Sequence, residues 1–129
     1  MGESIASGKS GDMAVPEWQA GAGLEVTVDA VAAAKRSQNR FRLIDCREED
    51  EFAICRLEQA ELMPLGQFPA LAENRLRDRN EVIVVYCHHG MRSAQAASFL
   101  RDKGYRRCFS MAGGIDLWSQ QVDASVPRY

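Results

Sequence analysis

The sequence contains no apolar run approaching the ~20 residues a helix needs to span a bilayer. Its opening stretch, MGESIASGKSGDMAVPEW, lacks the basic start and apolar centre of a secretory signal, so a cytoplasmic protein is expected. A net charge of −2 leaves no basic excess to grip a nucleic acid. Neither a membrane nor a nucleic acid is therefore expected as a partner. There is no CxxC pair, and the only two histidines, His88 and His89, are neighbours. A zinc site would need long-range convergence that no spacing supports, so no metal and no cofactor are expected. Four cysteines could suggest disulfides in an exported protein, but nothing here indicates export. Cys46, Cys55 and Cys108 are read as small buried hydrophobes.

What is present suits one domain with a packed core: 129 residues, 46% apolar and 26% charged. Residues 1–23, rich in Gly, Ser and Ala, read as a flexible N-terminal extension, in which Trp18 covers an apolar edge of the domain that follows. From residue 24 to 129, strand and helix patterns alternate. Leu24 to Val26 is a short strand, and Thr27 an N-cap for an alanine-rich helix through Lys35. Phe41 to Ile44 is a second strand ending at Asp45, followed by a short helix from Arg47 whose acids form a solvated face. Ala60 to Met63 is a third strand, and Phe68 to Leu76 a helix. Val82 to Val85 is a β-branched strand covered on both faces. A helix from near Ser93 stops at Gly104. Arg107 to Met111 is a last strand, turned by Gly113-Gly114 into a helix carrying Trp118, and the tail lies back on the domain through Val126, Pro127 and Tyr129. The pattern predicts an α/β fold, a mainly parallel sheet of about five strands with helices on both faces.

In such a sheet ligands bind beyond the carboxyl ends of the strands. Cys87 ends one strand and faces a helix start; Asp45 to Arg47 ends another on the same rim. A cysteine in that place meets backbone N–H groups and the positive end of a helix dipole, both of which favour thiolate. Gly90 can take a left-handed conformation, letting successive amides converge on one point, and Arg92 adds positive charge. The stretch His88, His89, Gly90, Met91, Arg92 and Ser93 therefore reads as a cradle for a small anion around a nucleophilic Cys87. Ser93 is expected to cap the helix or bond the sulfur, with capping the commoner role. Asp45 and Arg47 are expected to brace the loop from the neighbouring strand.

The stretch Cys87-His88-His89-Gly90-Met91-Arg92-Ser93 resembles the active-site loop of the rhodanese family: a cysteine, two variable residues, a glycine, one more, an arginine and a hydroxyl residue. Asp45-Cys46-Arg47-Glu48 resembles its Asp-x-Arg-Glu strand end, and Met63-Pro64-Leu65 its Ile-Pro-Leu. Gly104-Tyr105 and Ala112-Gly113-Gly114-Ile115 with Trp118 resemble its closing elements. The resemblance runs from Leu24 to Tyr129. It implies a single-domain sulfurtransferase in which Cys87 takes sulfane sulfur from thiosulfate or a persulfide donor and passes it, as a persulfide, to a thiol or cyanide. The C-terminal tail is similar to that of rhodanese domains attached to activating enzymes of thiolated-carrier pathways, which adds a sulfur-carrier protein as a possible acceptor. Arg92 is assigned to the loop's shape and charge, through a carboxylate partner, and His88 and His89 supply charge or a proton, or simply present backbone amides.

The family's Gly-His-Ile-x-Gly-Ala is replaced here by Cys55-Arg56-Leu57-Glu58-Gln59-Ala60, which puts that wall of the pocket in question and sets on the rim a Cys55 thiol that could accept sulfur or form a disulfide with Cys87. Two other readings compete. A cysteine phosphatase related to this fold has five residues between cysteine and arginine; here there are four, a narrower cradle that favours sulfur over phosphate. A non-catalytic rhodanese module used for binding or regulation often lacks the cysteine, which is present here.

Overall fold

The computed structural model describes residues 15, 16, 18 and 22–129. Most of the expected N-terminal extension, residues 1–14, 17 and 19–21, lies outside them. A two-residue strand, β1 (Glu25–Val26), leads into α1 (Val28–Arg36). Thr27 is the N-cap, its Oγ1 accepting the Ala30 N–H at 3.0 Å and so occupying one of the free amides of the first turn. Strand β2 (Arg42–Asp45) follows, then α2 (Glu49–Ile54), β3 (Glu61–Leu62) and a single 3-10 turn into α3 (Phe68–Arg75). Strand β4 (Ile83–Tyr86), helix α4 (Met91–Asp102), strand β5 (Cys108–Met111) and helix α5 (Gly114–Gln121) complete the chain order.

The five strands form one sheet in the order β1-β5-β4-β2-β3, every pairing parallel. β4 lies at the centre and all four of its residues are buried. Its period of two divides the core. Ile83, Val85 and Cys87 join Phe68, Ala96 and Leu100 in the cluster under α3 and α4. Val84 and Tyr86 join Val28, Ile115 and Trp118 in the cluster under α1 and α5. Burial on both faces is why the strand reads as an uninterrupted β-branched run and not as an alternating one. Trp18 meets Phe41 and Phe109 edge-on, with ring centroids 6.1 and 5.6 Å away, and covers the apolar edge expected of it. Among the described residues no helix is long and apolar enough to cross a membrane.

Two helix starts differ from the sequence expectation. α2 begins at Glu49 and not at Arg47, because Glu48 is its N-cap: the Glu48 N–H donates to Glu51 Oε1 at 3.0 Å in a capping box. α4 begins at Met91 and not near Ser93, because Gly90, at φ +111°, makes the turn and becomes the N-cap. Ser93 is therefore inside the helix, with its hydroxyl free for other partners.

Candidate active site

Three elements hold Cys87. β4 carries it to the carboxyl rim of the sheet, where it is 1% exposed. The turn at Gly90 aims two amides at its sulfur: the Gly90 N–H donates to Sγ at 3.1 Å and the Ser93 N–H at 3.4 Å. Ser93 Oγ lies 3.5 Å from Sγ and is held there by Gly90 O at 3.2 Å and Ser110 Oγ at 2.7 Å. Serine at this position does not cap the helix. It joins β5, through Ser110, to the sulfur.

The opposite side of the loop is held by α5. Its first-turn amides donate to the loop carbonyls, Ile115 N–H to Cys87 O at 2.9 Å and Asp116 N–H to His88 O at 3.1 Å. With their carbonyls drawn away, the loop's N–H groups face inward. This contact requires Gly114, which has φ +62°; a Cβ there would collide with both of those carbonyls. Gly114→Ala is therefore expected to cost about 2 kcal/mol or more, from left-handed strain and the displaced loop together. Thermal unfolding measures that cost, and an unchanged midpoint would refute the packing described.

These contacts lower the pKa of Cys87 to about 4. The largest contribution is the Cys46 thiol, which donates towards Cys87 Sγ; burial opposes it, and the Ser93 hydroxyl and the Ser93 and Gly90 amides add to it. Cys46 is driven the other way, since a thiolate neighbour and burial keep it protonated. Sequence reading treated Cys46 only as packing. Its partner was visible in the pattern, because two neighbouring parallel strands each end just before a cysteine.

Arg92 does not point its charge at the sulfur. Its guanidinium makes a two-point contact with Glu51, Nη1 to Oε1 at 2.7 Å and Nη2 to Oε2 at 3.0 Å. The ion pair, together with the Glu48 amide and the Tyr129 hydroxyl, holds the Glu51 carboxyl down at about 2. Glu51 thus leaves the solvated acidic face on which sequence reading placed it, with its side chain 17% exposed.

Asp45 and Arg47 form an ion pair with both side chains wholly buried, Arg47 Nη2 to Asp45 Oδ2 at 2.6 Å. Their hydrogen bonds run elsewhere than expected. Arg47 Nη2 donates to Cys55 O at 2.7 Å and Nη1 to the Tyr129 hydroxyl at 2.7 Å; among the described residues neither side chain bonds the Cys87 loop. The pair props the altered 55–57 segment and the C-terminal tail. Tyr129, which donates in turn to Glu51 Oε2 at 2.8 Å, stacks on His88 with centroids 3.9 Å apart. The Cys55 side chain belongs to the core cluster of Tyr86, Leu57 and Trp118, on the face of the sheet opposite to Cys87. The suggestion that it could react with Cys87 fails on that placement.

His88 and His89 stack on one another at 3.9 Å, and His89 Nε2 is 3.7 Å from Asp116 Oδ2. Burial lowers the His88 pKa, followed by the charge of His89, and His88 Nε2 is buried with no hydrogen-bond partner. The structure thus gathers three metal-ligating side chains that the sequence spacing did not suggest, their ligand atoms within 4.8 Å of one another. Asp116, one of the three, is also paired with Arg128 at 2.8 Å. Met91, 79% exposed, stands on the outer edge of the loop.

Residues 27–121 match the family described as Rhodanese-like domain. The chain is 37% identical over 76 residues to the thiosulfate sulfurtransferase GlpE of Haemophilus influenzae, covering 59% of this chain and 70% of that one. It is 33% identical over 93 residues to the adenylyltransferase and sulfurtransferase MOCS3-2 of Zea mays, covering 67% of this chain and 19% of that one. The chain spans 30% or less of the length of the plant relatives it matches. Its fold is similar to the human single-domain sulfurtransferase TSTD1, with a TM-score of 0.67 and 22% identity over 77% of this chain and 97% of that one.

Proposed function

The chain belongs to the rhodanese-like family, whose members named above include sulfurtransferases, and from that premise we propose that it transfers sulfane sulfur through a persulfide on Cys87. The observation that carries the proposal is the Cys87 sulfur itself, ionised at neutral pH and facing the Gly90 and Ser93 amides at 3.1 and 3.4 Å. In the first half-reaction the Cys87 thiolate attacks the outer sulfur of thiosulfate. A sulfur–sulfur bond forms, the bond to the sulfonate sulfur breaks, and sulfite leaves with its electron pair. The persulfide keeps one negative charge on its outer sulfur, which the inward amides and the start of α4 accommodate. In the second half-reaction a thiolate or cyanide takes that outer sulfur and the Cys87 thiolate is restored. Splitting one transfer into two displacements is covalent catalysis, and neither displacement needs a general acid, metal or cofactor.

In this mechanism Ser93 bonds the sulfur and Arg92, tied to Glu51, keeps the helix start in place. His88, His89 and Met91 form the rim that an acceptor meets. The acceptor is a small thiol or the flexible end of a sulfur-carrier protein; the kinship with a protein named both adenylyltransferase and sulfurtransferase supports the second. Four residues between Cys87 and Arg92 make a tight loop whose amides meet at a single sulfur, which favours sulfur transfer over phosphate hydrolysis.

The test is intact-mass spectrometry after incubation with thiosulfate. The wild-type chain is expected to gain one sulfur atom, lost again on adding cyanide, and Cys87→Ala is expected to gain none. No gain on the wild type, or a gain that persists in Cys87→Ala, would overturn the proposal. So would robust turnover of an aryl phosphate.

A further inference from the structure

We propose that Cys46 and Cys87 are a redox pair, closing an intramolecular disulfide when a hydroperoxide oxidises Cys87. Strands β2 and β4 pair in parallel with Asp45 opposite Tyr86, which makes Cys46 and Cys87 the next cross-strand neighbours. The Cys46 N–H donates to Tyr86 O at 3.0 Å, so the pairing continues up to the two cysteines. Adjacent strands lie about 4.8 Å apart, within the roughly 4.4–6.8 Å between Cα atoms that a disulfide accepts. Both side chains enter the same apolar cluster, so the two sulfurs lie on one face of the sheet. The other two thiols are badly placed. Cys55 is on the opposite face of the sheet. Cys108 pairs with Ile83, four residues back along β4, which is about 13 Å from Cys87 at the rise of a strand.

The chemistry divides between the two sulfurs. Cys87 is the ionised one, and it attacks one oxygen of the hydroperoxide. A sulfur–oxygen bond forms, the oxygen–oxygen bond breaks, and hydroxide (or an alkoxide) leaves, so Cys87 becomes a sulfenic acid. Cys46 keeps its proton and is not the sulfur that attacks the oxidant. What holds its proton is, first, its hydrogen bond to Cys87, then burial, then the Cys87 charge. Oxidation of Cys87 removes the charge and weakens that hydrogen bond, freeing the Cys46 sulfur to act. Cys46 attacks the Cys87 sulfur, the disulfide forms, the sulfur–oxygen bond breaks, and the Cys46 proton leaves with the hydroxide as water. A dithiol reductant returns both thiols. The disulfide keeps Cys87 off the irreversible steps to sulfinic and sulfonic acid. None of this requires a sulfur donor, so its failure would not bear on sulfur transfer.

The full chain, free of donor sulfur, is treated with hydrogen peroxide, then denatured and alkylated for intact-mass and peptide analysis. The wild type is expected to lose two hydrogens, to yield a linked peptide pair containing Cys46 and Cys87, and to regain both free thiols with dithiothreitol. Cys46→Ser is expected instead to gain two or three oxygens on Cys87 that dithiothreitol does not remove. Cys55→Ser and Cys108→Ser are expected to behave as the wild type. Direct oxidation of wild-type Cys87 to sulfinic acid with no linked pair, or a linked pair using Cys55 or Cys108, would overturn the proposal. Because the linked pair is sought in the wild-type chain, the result does not depend on the Cys46→Ser variant folding.

Discussion

Asp45→Asn is expected to lower the unfolding free energy by about 3–5 kcal/mol, the scale for removing one partner of a buried ion pair. The Asp45 carboxylate accepts from the Arg47 backbone N–H at 3.0 Å and from Arg47 Nε at 2.9 and 3.1 Å, in addition to the 2.6 Å contact with Nη2. An amide in its place cannot accept on both sides, and the wholly buried Arg47 charge is left unpaired. The whole stability of a domain is about 5–15 kcal/mol, so the change removes a large share of it. Arg47→Met is expected to cost about as much, since it leaves the wholly buried Asp45 carboxylate without its partner and the Cys55 carbonyl without a donor. The double variant should cost well below the sum of the two, because each single change destroys the same pair. Urea unfolding monitored by Trp18 and Trp118 fluorescence measures all three. A cost below about 1 kcal/mol for Asp45→Asn would mean that the pair behaves as a surface ion pair, contrary to its burial.

The second large effect concerns reactivity against pH. The folded-state pKa of Cys87 is depressed to about 4, so the thiolate is the form present above that value and is lost as pH falls through it. Alkylation by the uncharged reagent iodoacetamide should then be nearly constant from neutral pH down to about pH 5 and fall with a midpoint near 4. An ordinary cysteine, with a pKa of about 8.5, would be only about 1% ionised at pH 6.5. Cys46→Ala removes the first-ranked contributor and should move the midpoint upward by at least a unit; Ser93→Ala should move it the same way by less. The midpoint is the quantity to compare, because a thiolate of lower pKa is also a weaker nucleophile and the plateau rates will differ. A wild-type midpoint above 7 would contradict the hydrogen bonding described around the sulfur. If Cys46→Ala leaves the midpoint where it was, the stabilisation belongs to the amides and not to the neighbouring thiol.

Much of the architecture is legible in the sequence. β4 could be read because four consecutive buried residues leave a β-branched run, and α1 because Thr27 and the alanines are local signals. The start of α4 was misplaced since the glycine turn looked like part of the loop, while Ser93 had the chemistry of a cap. That misplacement also hid the serine's link to Ser110, seventeen positions away. Glu51 was read with its neighbours as part of a solvated acidic run. Nothing in a run of acids distinguishes the one that faces an arginine 41 positions further on. Tyr129 was expected on the domain but not in the site, where its hydroxyl joins Arg47, 82 positions earlier, to Glu51.

The stretch from Glu81 to Gly104 is legible from its residues alone as a buried strand, a cysteine at its end, a glycine turn and a helix. Those features depend on spacing and on properties of adjacent residues, and they placed Cys87 correctly at the rim of a parallel sheet. What surrounds that sulfur is set by the packing of distant elements. Cys46 meets it through the register of β2 on β4, α5 holds its carbonyl, and Glu51 draws Arg92 aside. Each of these depends on how separate elements pack, which is settled by the sum of contacts over the whole core and is written in no single stretch of chain.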